Sequence, residues 1–187
     1  MMACHTPKKT TTDTTAQTTE TKPAVGNTDN TPKITYDVVE GLNLGNTAPE
    51  ISLPDPNGNV IKLSSLRGKV VLIDFWASWC GPCRRENPAV VAAAKKYKDS
   101  VFKNGTGFTV YSVSLDKGKD SWTRAIQDDG LFWPSHVSDL ALWNNAAAIK
   151  YNVSAIPTNV LINGDGIIIG KGLRGEELTN ALEKYIK

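Results

Sequence analysis

Residues 69–83 read KVVLIDFWASWCGPC, and this stretch decides the fold. Residues 69–76 are almost continuously apolar and β-branched, which suits a strand buried on both faces in the middle of a largely parallel sheet. Cys80 and Cys83 follow at once, separated by Gly81 and Pro82. Residues 84–97 are Ala-rich and helical in pattern, so strand, tight turn and helix succeed one another and place Cys80 at a helix N-terminus. Unpaired backbone N–H groups and the helix dipole favour a thiolate there. Pro82 suits the first turn, where the donor it lacks would be unpaired, whereas Pro88 removes a donor inside the helix and predicts a kink. Two intervening residues let the sulfurs close a small ring without unwinding the helix. Cys83, a turn further in, is expected to be the more buried sulfur. Cys80 therefore reads as the attacking nucleophile and Cys83 as the residue that resolves a mixed disulfide.

Asp74 is the polar residue inside that apolar strand. Burying a carboxylate is costly, so desolvation should raise its pKa and keep it able to exchange a proton near neutrality. Strand alternation puts Asp74 and Trp76 on one face, Ile73 and Phe75 on the other. Asp74 is the candidate proton acceptor for Cys83, directly or through a water. Trp76 and Trp79 flank the motif and are read as shaping a substrate surface. Ser154-Ala155-Ile156-Pro157-Thr158 precedes another strand, and a proline there can hold a cis peptide and leave the Ile156 backbone open to an extended substrate.

Working outward, residues 50–54 and 59–63 alternate as a half-buried hairpin around Pro56-Asn57-Gly58. Residues 107–115 form a strand, and residues 117–129 a helix with Trp122, Ala125 and Ile126 on one face and Gly130 past its end. Residues 140–151 are expected to form a further helix, with Leu140, Trp143 and Ala147 at helical spacing. Residues 158–162 and 167–171 flank Gly164-Asp165-Gly166, a hairpin signal, and Leu178, Ala181, Leu182 and Tyr185 make an amphipathic C-terminal helix. The predicted fold class is α/β: a three-layer α/β/α sandwich with a central mixed sheet, an N-terminal hairpin and a central helical insertion.

Eleven of the residues from Thr6 to Thr31 are Thr, and no aromatic precedes Tyr36. Such a segment cannot bury enough surface to offset its ordering entropy, so residues 1–40 are expected to be a disordered Thr-rich tether and residues 41–187 the domain. Ala3-Cys4 resembles the end of a bacterial lipoprotein signal, which makes Cys4 a candidate lipid anchor. With 187 residues, 21 Lys and Arg, 19 Asp and Glu and no apolar run near the ~20 residues of a membrane span, a membrane-spanning protein is excluded. From Gly41 onward 17 basic residues face 14 acidic ones, too even a balance for a phosphate-binding stripe, so no nucleic acid partner is expected. Three cysteines also exclude a disulfide-stapled mini-protein.

VLIDFWASWCGPC, Pro88, and Ala155-Ile-Pro-Thr158 followed by the GDG hairpin resemble the thioredoxin family. The lead hairpin, the stretch between about 117 and 140 and the Cys4 anchor resemble its extracytoplasmic TlpA/ResA-like branch. The resemblance covers about residues 45–187. It implies a thioredoxin fold, a Cys80/Cys83 redox pair, Asp74 as the buried carboxylate, Pro157 as a cis-proline, and a substrate surface around Trp79, Gly81, Pro82 and Ile156. It further implies a thiol–disulfide oxidoreductase that reduces protein disulfides on the periplasmic side and draws electrons from a membrane thiol reductase or thioredoxin system. No cofactor is implied.

Competing readings rest on fewer residues. A zinc site needs two ligands beyond the cysteine pair, and the candidates are Cys4, His5 and His136; no metal is expected. Covalent haem requires His where Arg84 stands. A thiol peroxidase would carry Thr three residues before its reactive Cys, and Ala77 occupies that position. Trp122, Trp133 and Trp143 read as core or groove-lining aromatics, Arg84 and Arg85 as solvated, and His136 as a loop residue.

Overall fold

The computed structural model describes residues 39–187; the Cys4 anchor and nearly all of the tether lie outside them. The chain opens with a hairpin, β1 (Ser52–Pro54) and β2 (Val60–Lys62), paired antiparallel as a separate two-stranded sheet. Asp55 closes its turn, its Oδ1 accepting from the backbone N–H of Asn57 at 2.7 Å and of Asn59 at 2.8 Å. This is the local side-chain bonding that makes Asx residues turn formers.

β3 (Val70–Trp76) is buried at every position, and α1 (Gly81–Tyr97) follows it, with Pro88 inside the helix. A small hairpin, β4 (Val101–Phe102) with β5 (Gly105–Thr106), leads to β6 (Phe108–Ser114) and α2 (Lys119–Asp128). The chain continues through β7 (His136–Val137) and α3 (Ala146–Lys150) to β8 (Thr158–Ile162), β9 (Ile168–Lys171) and α4 (Glu176–Tyr185). The main sheet runs β7-β6-β3-β8-β9. β3 lies at its centre, parallel to β6 and antiparallel to β8, so the sheet is mixed. Its continuous apolar sequence fits a place with strands on both sides and packing on both faces.

Residues 45–48 pair with the start of β9 and the turn before it: Gly45 donates to the Ile168 carbonyl at 2.9 Å and Ala48 to that of Gly166 at 3.0 Å. The opposite edge is β7, two residues long. Gly166, in the β8–β9 turn, has φ +84, a backbone conformation that L side chains rarely adopt, which favours glycine there.

One expected helix is absent. Residues 140–151 give a short 3-10 turn, Leu142–Asn144, and then the five-residue α3. Leu140 and Leu142 both have positive φ, 56 and 54, which no right-handed helix contains. The turn wins because Asp139 and Asn145 divert backbone donors: Asp139 carboxyl oxygens accept from Ala141 and Ala146, and Asn145 Oδ1 caps α3 through Ala147 and Ala148. The stretch between 117 and 140 holds one helix, α2, with Trp122 and Ala125 buried.

Candidate active site

The cysteine pair sits where β3 ends and α1 begins. Cys80 is the helix N-cap, in extended conformation, and its Sγ accepts the Cys83 backbone N–H at 3.2 Å. Cys80 and Cys83 are joined by a disulfide, with Cα atoms 5.3 Å apart. Gly81 and Pro82 are exposed, whereas Cys80 keeps 5% of its surface and Cys83 1%. The more accessible sulfur thus belongs to the N-cap residue, where backbone donors stabilise negative charge.

Asp74 lies in β3, the strand that leads into the pair, between Ser112 of β6 and Asn159 of β8. Burial pushes its carboxyl up to about 7, the negative charge of Glu86 pushes the same way, and Arg174 opposes both. Those two neighbours tie the carboxyl to the rest of the site. Glu86 projects from α1 and accepts the Gly175 N–H at 2.7 Å, while Arg174 donates to the Pro157 carbonyl at 2.6 Å. The Ile156–Pro157 peptide is cis, Ile156 is half-buried, and the preceding Ser154 and Ala155 are exposed. Asn159, buried beside Asp74, holds the 173 loop through both ends of its amide, to the Leu173 carbonyl and N–H.

The loop before Cys80 is braced from two sides. Asp116 accepts from the Ser78 N–H at 2.9 Å, from the Ser78 hydroxyl, and from the Ser114 hydroxyl at 2.7 Å. Arg84 donates to the Ser78 carbonyl at 3.2 Å and grips Asp129 with two nitrogens, and Asn87 donates to the same carboxylate. Arg84 is therefore not the solvated residue expected from sequence: a bidentate partner beyond α2 holds it against the site. Arg85 is exposed.

The aromatics divide. Trp76 is fully buried and shapes no surface, because its strand is covered on both faces; Trp79 is half exposed beside Cys80. Trp122 and Trp133 are core residues, Trp133 donating to the Ser112 hydroxyl. Trp143 is not core: it stands 45% exposed with its ring centroid 6.2 Å from that of Trp79. His136 is also not a loop residue. It is buried in β7, its ring stacked on Trp133 and bonded to the Leu131 carbonyl, and burial lowers its pKa to about 4. Glu86, Arg174, Asp116 and the Trp79–Trp143 contact carry no local sequence signal, since each partner lies far along the chain.

Residues 43–186 match the model of the Redoxin family. The thiol–disulfide oxidoreductase ResA of Bacillus thuringiensis subsp. konkukian is 30% identical over 149 residues, covering 79% of this chain and 79% of that protein. ResA of Bacillus subtilis is 30% identical over 147 residues, covering 79% and 76%. The thioredoxin domain of a thiol–disulfide oxidoreductase from Bacteroides vulgatus superposes with a TM-score of 0.69 at 33% identity, covering 79% of this chain and 100% of that one. The chain belongs to the Redoxin family, as a ResA-like thiol–disulfide oxidoreductase with a thioredoxin fold.

Proposed function

We propose that the protein works as a reductase of disulfides in client proteins outside the cytoplasm. The observation that carries the reading is the Asp74 carboxyl, buried in the strand that leads into the Cys80–Cys83 pair and raised to about 7. In the reduced protein the Cys80 thiolate attacks one sulfur of the client disulfide. That S–S bond breaks, the second client sulfur leaves and takes up a proton, and a Cys80–client mixed disulfide remains. Cys83 gives its proton to Asp74, directly or through a water, and attacks Cys80 Sγ, releasing the first client sulfur as a thiol. Two electrons have moved: the client holds two thiols and the protein holds its disulfide. A dithiol donor, such as a membrane thiol reductase or a thioredoxin system, restores the reduced pair by the reverse exchange.

The surface for an extended client comprises Trp79, Gly81 and Pro82 on one side and the Ile156 backbone before Pro157 on the other, where main-chain pairing holds the client. Gly81-Pro82 between the cysteines supports the reducing end of a range that runs from about −270 mV to about −120 mV in related folds. The Ala3-Cys4 pattern and the Thr-rich composition of residues 1–40 support a lipid-anchored domain, 41–187, held on the periplasmic side by its spacer. Among the described residues no helix is long and apolar enough to cross a membrane. Loss of membrane association on Cys4→Ala tests the anchor.

Reduction of insulin disulfides with a dithiol donor tests the activity. The wild type is expected to catalyse it and Cys80→Ser to abolish it; persistence in that variant overturns the mechanism. The potential of the Cys80–Cys83 couple, measured against glutathione, separates reductase from oxidase.

A further inference from the structure

Trp79 and Trp143 each leave about half of an indole in solvent, 50% and 45%, with centroids 6.2 Å apart and planes inclined at 57°. Trp79 immediately precedes Cys80, so the two rings form one aromatic surface next to the reactive cysteine in the chain. Core packing does not explain the position of Trp143, because its ring is not in the core. The backbone that presents it is strained: Leu140 and Leu142 on either side of Ala141 hold φ values of 56 and 54, a region that a leucine enters at a cost. Side-chain bonds impose this conformation. The Ser138 hydroxyl accepts the Leu140 N–H at 3.0 Å, and Asp139 accepts the Asn145 amide at 2.7 Å and the Ala146 N–H at 2.8 Å. Strain over-determined by its surroundings, in the turn that presents a ring to Trp79, is a reason to look for a function.

We propose that Trp143 is a specificity-determining residue for disulfide exchange. With Trp79 it receives an aromatic or aliphatic side chain two residues from the reacting cysteine of an extended client. Alternate residues of an extended chain point to the same side, roughly 7 Å apart, so the residue two positions from the client cysteine shares that cysteine's side of the chain. Both indole faces favour an apolar or aromatic side chain over a hydroxyl or a charge. The inference rests on the oxidoreductase reading and adds the class of client which the site prefers.

Two peptides test it, each with one cysteine carried as its thionitrobenzoate mixed disulfide. They are identical except that the residues two positions to either side of the cysteine are Phe in one and Ser in the other. The full-length protein is reduced, freed of reductant and mixed with each, and thionitrobenzoate release is timed. Wild type is expected to react about five- to tenfold faster with the Phe peptide, the ratio that one aromatic contact supplies. In Trp143→Ala that ratio should fall to about one, and in Trp143→Phe it should largely return. The ratio within one protein cancels any general loss of folded or reactive material. Retention of the preference in Trp143→Ala, or no preference in the wild type, overturns the inference alone. A wild type that releases thionitrobenzoate from neither peptide overturns the oxidoreductase reading with it.

Discussion

Two buried aspartates, one within β3 and one just past β6, are bonded in opposite ways. Asp74, in the central strand, is 6% exposed and receives no hydrogen bond among the described residues. Asp116, just past the end of the neighbouring β6, is 1% exposed and receives three, from Ser78 twice and from Ser114. Burial is nearly the same; the supply of donors differs. Without donors, burial favours the neutral acid, and Asp74 is left with a proton to exchange near pH 7. With three donors, Asp116 is committed to holding the loop that delivers Cys80. Depth in the core therefore does not assign a carboxyl its role; the groups that meet its oxygens do.

The largest effect that tests this contrast is kinetic. Asp74→Asn should slow resolution of the mixed disulfide about 100-fold at pH 7, read as accumulation of the Cys80–client adduct in rapid-quench experiments. Asp116→Asn should not produce that accumulation. Equal accumulation in both variants would erase the distinction.

Stability gives the next largest effect. Because the folded state raises the Asp74 pKa from 3.8 to about 7, the fold favours the protonated acid. No penalty exists below the ordinary value; stability is lost as pH rises from there through about 7, and the full cost remains above it. Asp74→Asn should therefore stabilise the protein by up to about 4 kcal/mol at pH 8 and by almost nothing below pH ~4, as measured by urea unfolding.

His136 supplies the opposite slope. Its pKa falls from 6.5 to about 4 on burial, so stability is full above the ordinary value and is lost as pH falls through the folded one. In the wild type the two slopes largely cancel between about pH 4 and 6.5. In Asp74→Asn only the histidine slope remains, and acidification across that window should cost about 3 kcal/mol. The smallest effect falls on the brace. Ser114→Ala removes one donor to Asp116 and should cost about 1 kcal/mol, with no change in the pH dependence of exchange.

The sequence pattern was most readable where local chemistry and fold agree. In residues 69–83, apolar continuity, the buried acid and the helix-opening Gly81-Pro82 all act over short spans, so strand, N-cap and redox pair could be placed directly. Residues 140–151 show the reverse. Leu140, Trp143 and Ala147 fall at helical spacing, yet Asp139 and Asn145 compete for the backbone donors and a strained turn results. Arg84 departs from its solvated expectation for a different reason. Its partner Asp129 lies 45 residues away, and only the fold brings the end of α2 to the start of α1. His136 belongs to a two-residue strand, too short for any periodicity to declare itself.

The edges of the main sheet bear on what the protein meets in its work. A disulfide reductase repeatedly contacts chains that are partly unfolded and seek strand partners. Residues 45–48 pair with the start of β9, which is four residues long, and with the turn before it, and β7 offers two residues. Neither margin presents a long open ladder on which a loosened client could nucleate a shared aggregate, so clients can be engaged at the redox loop and let go.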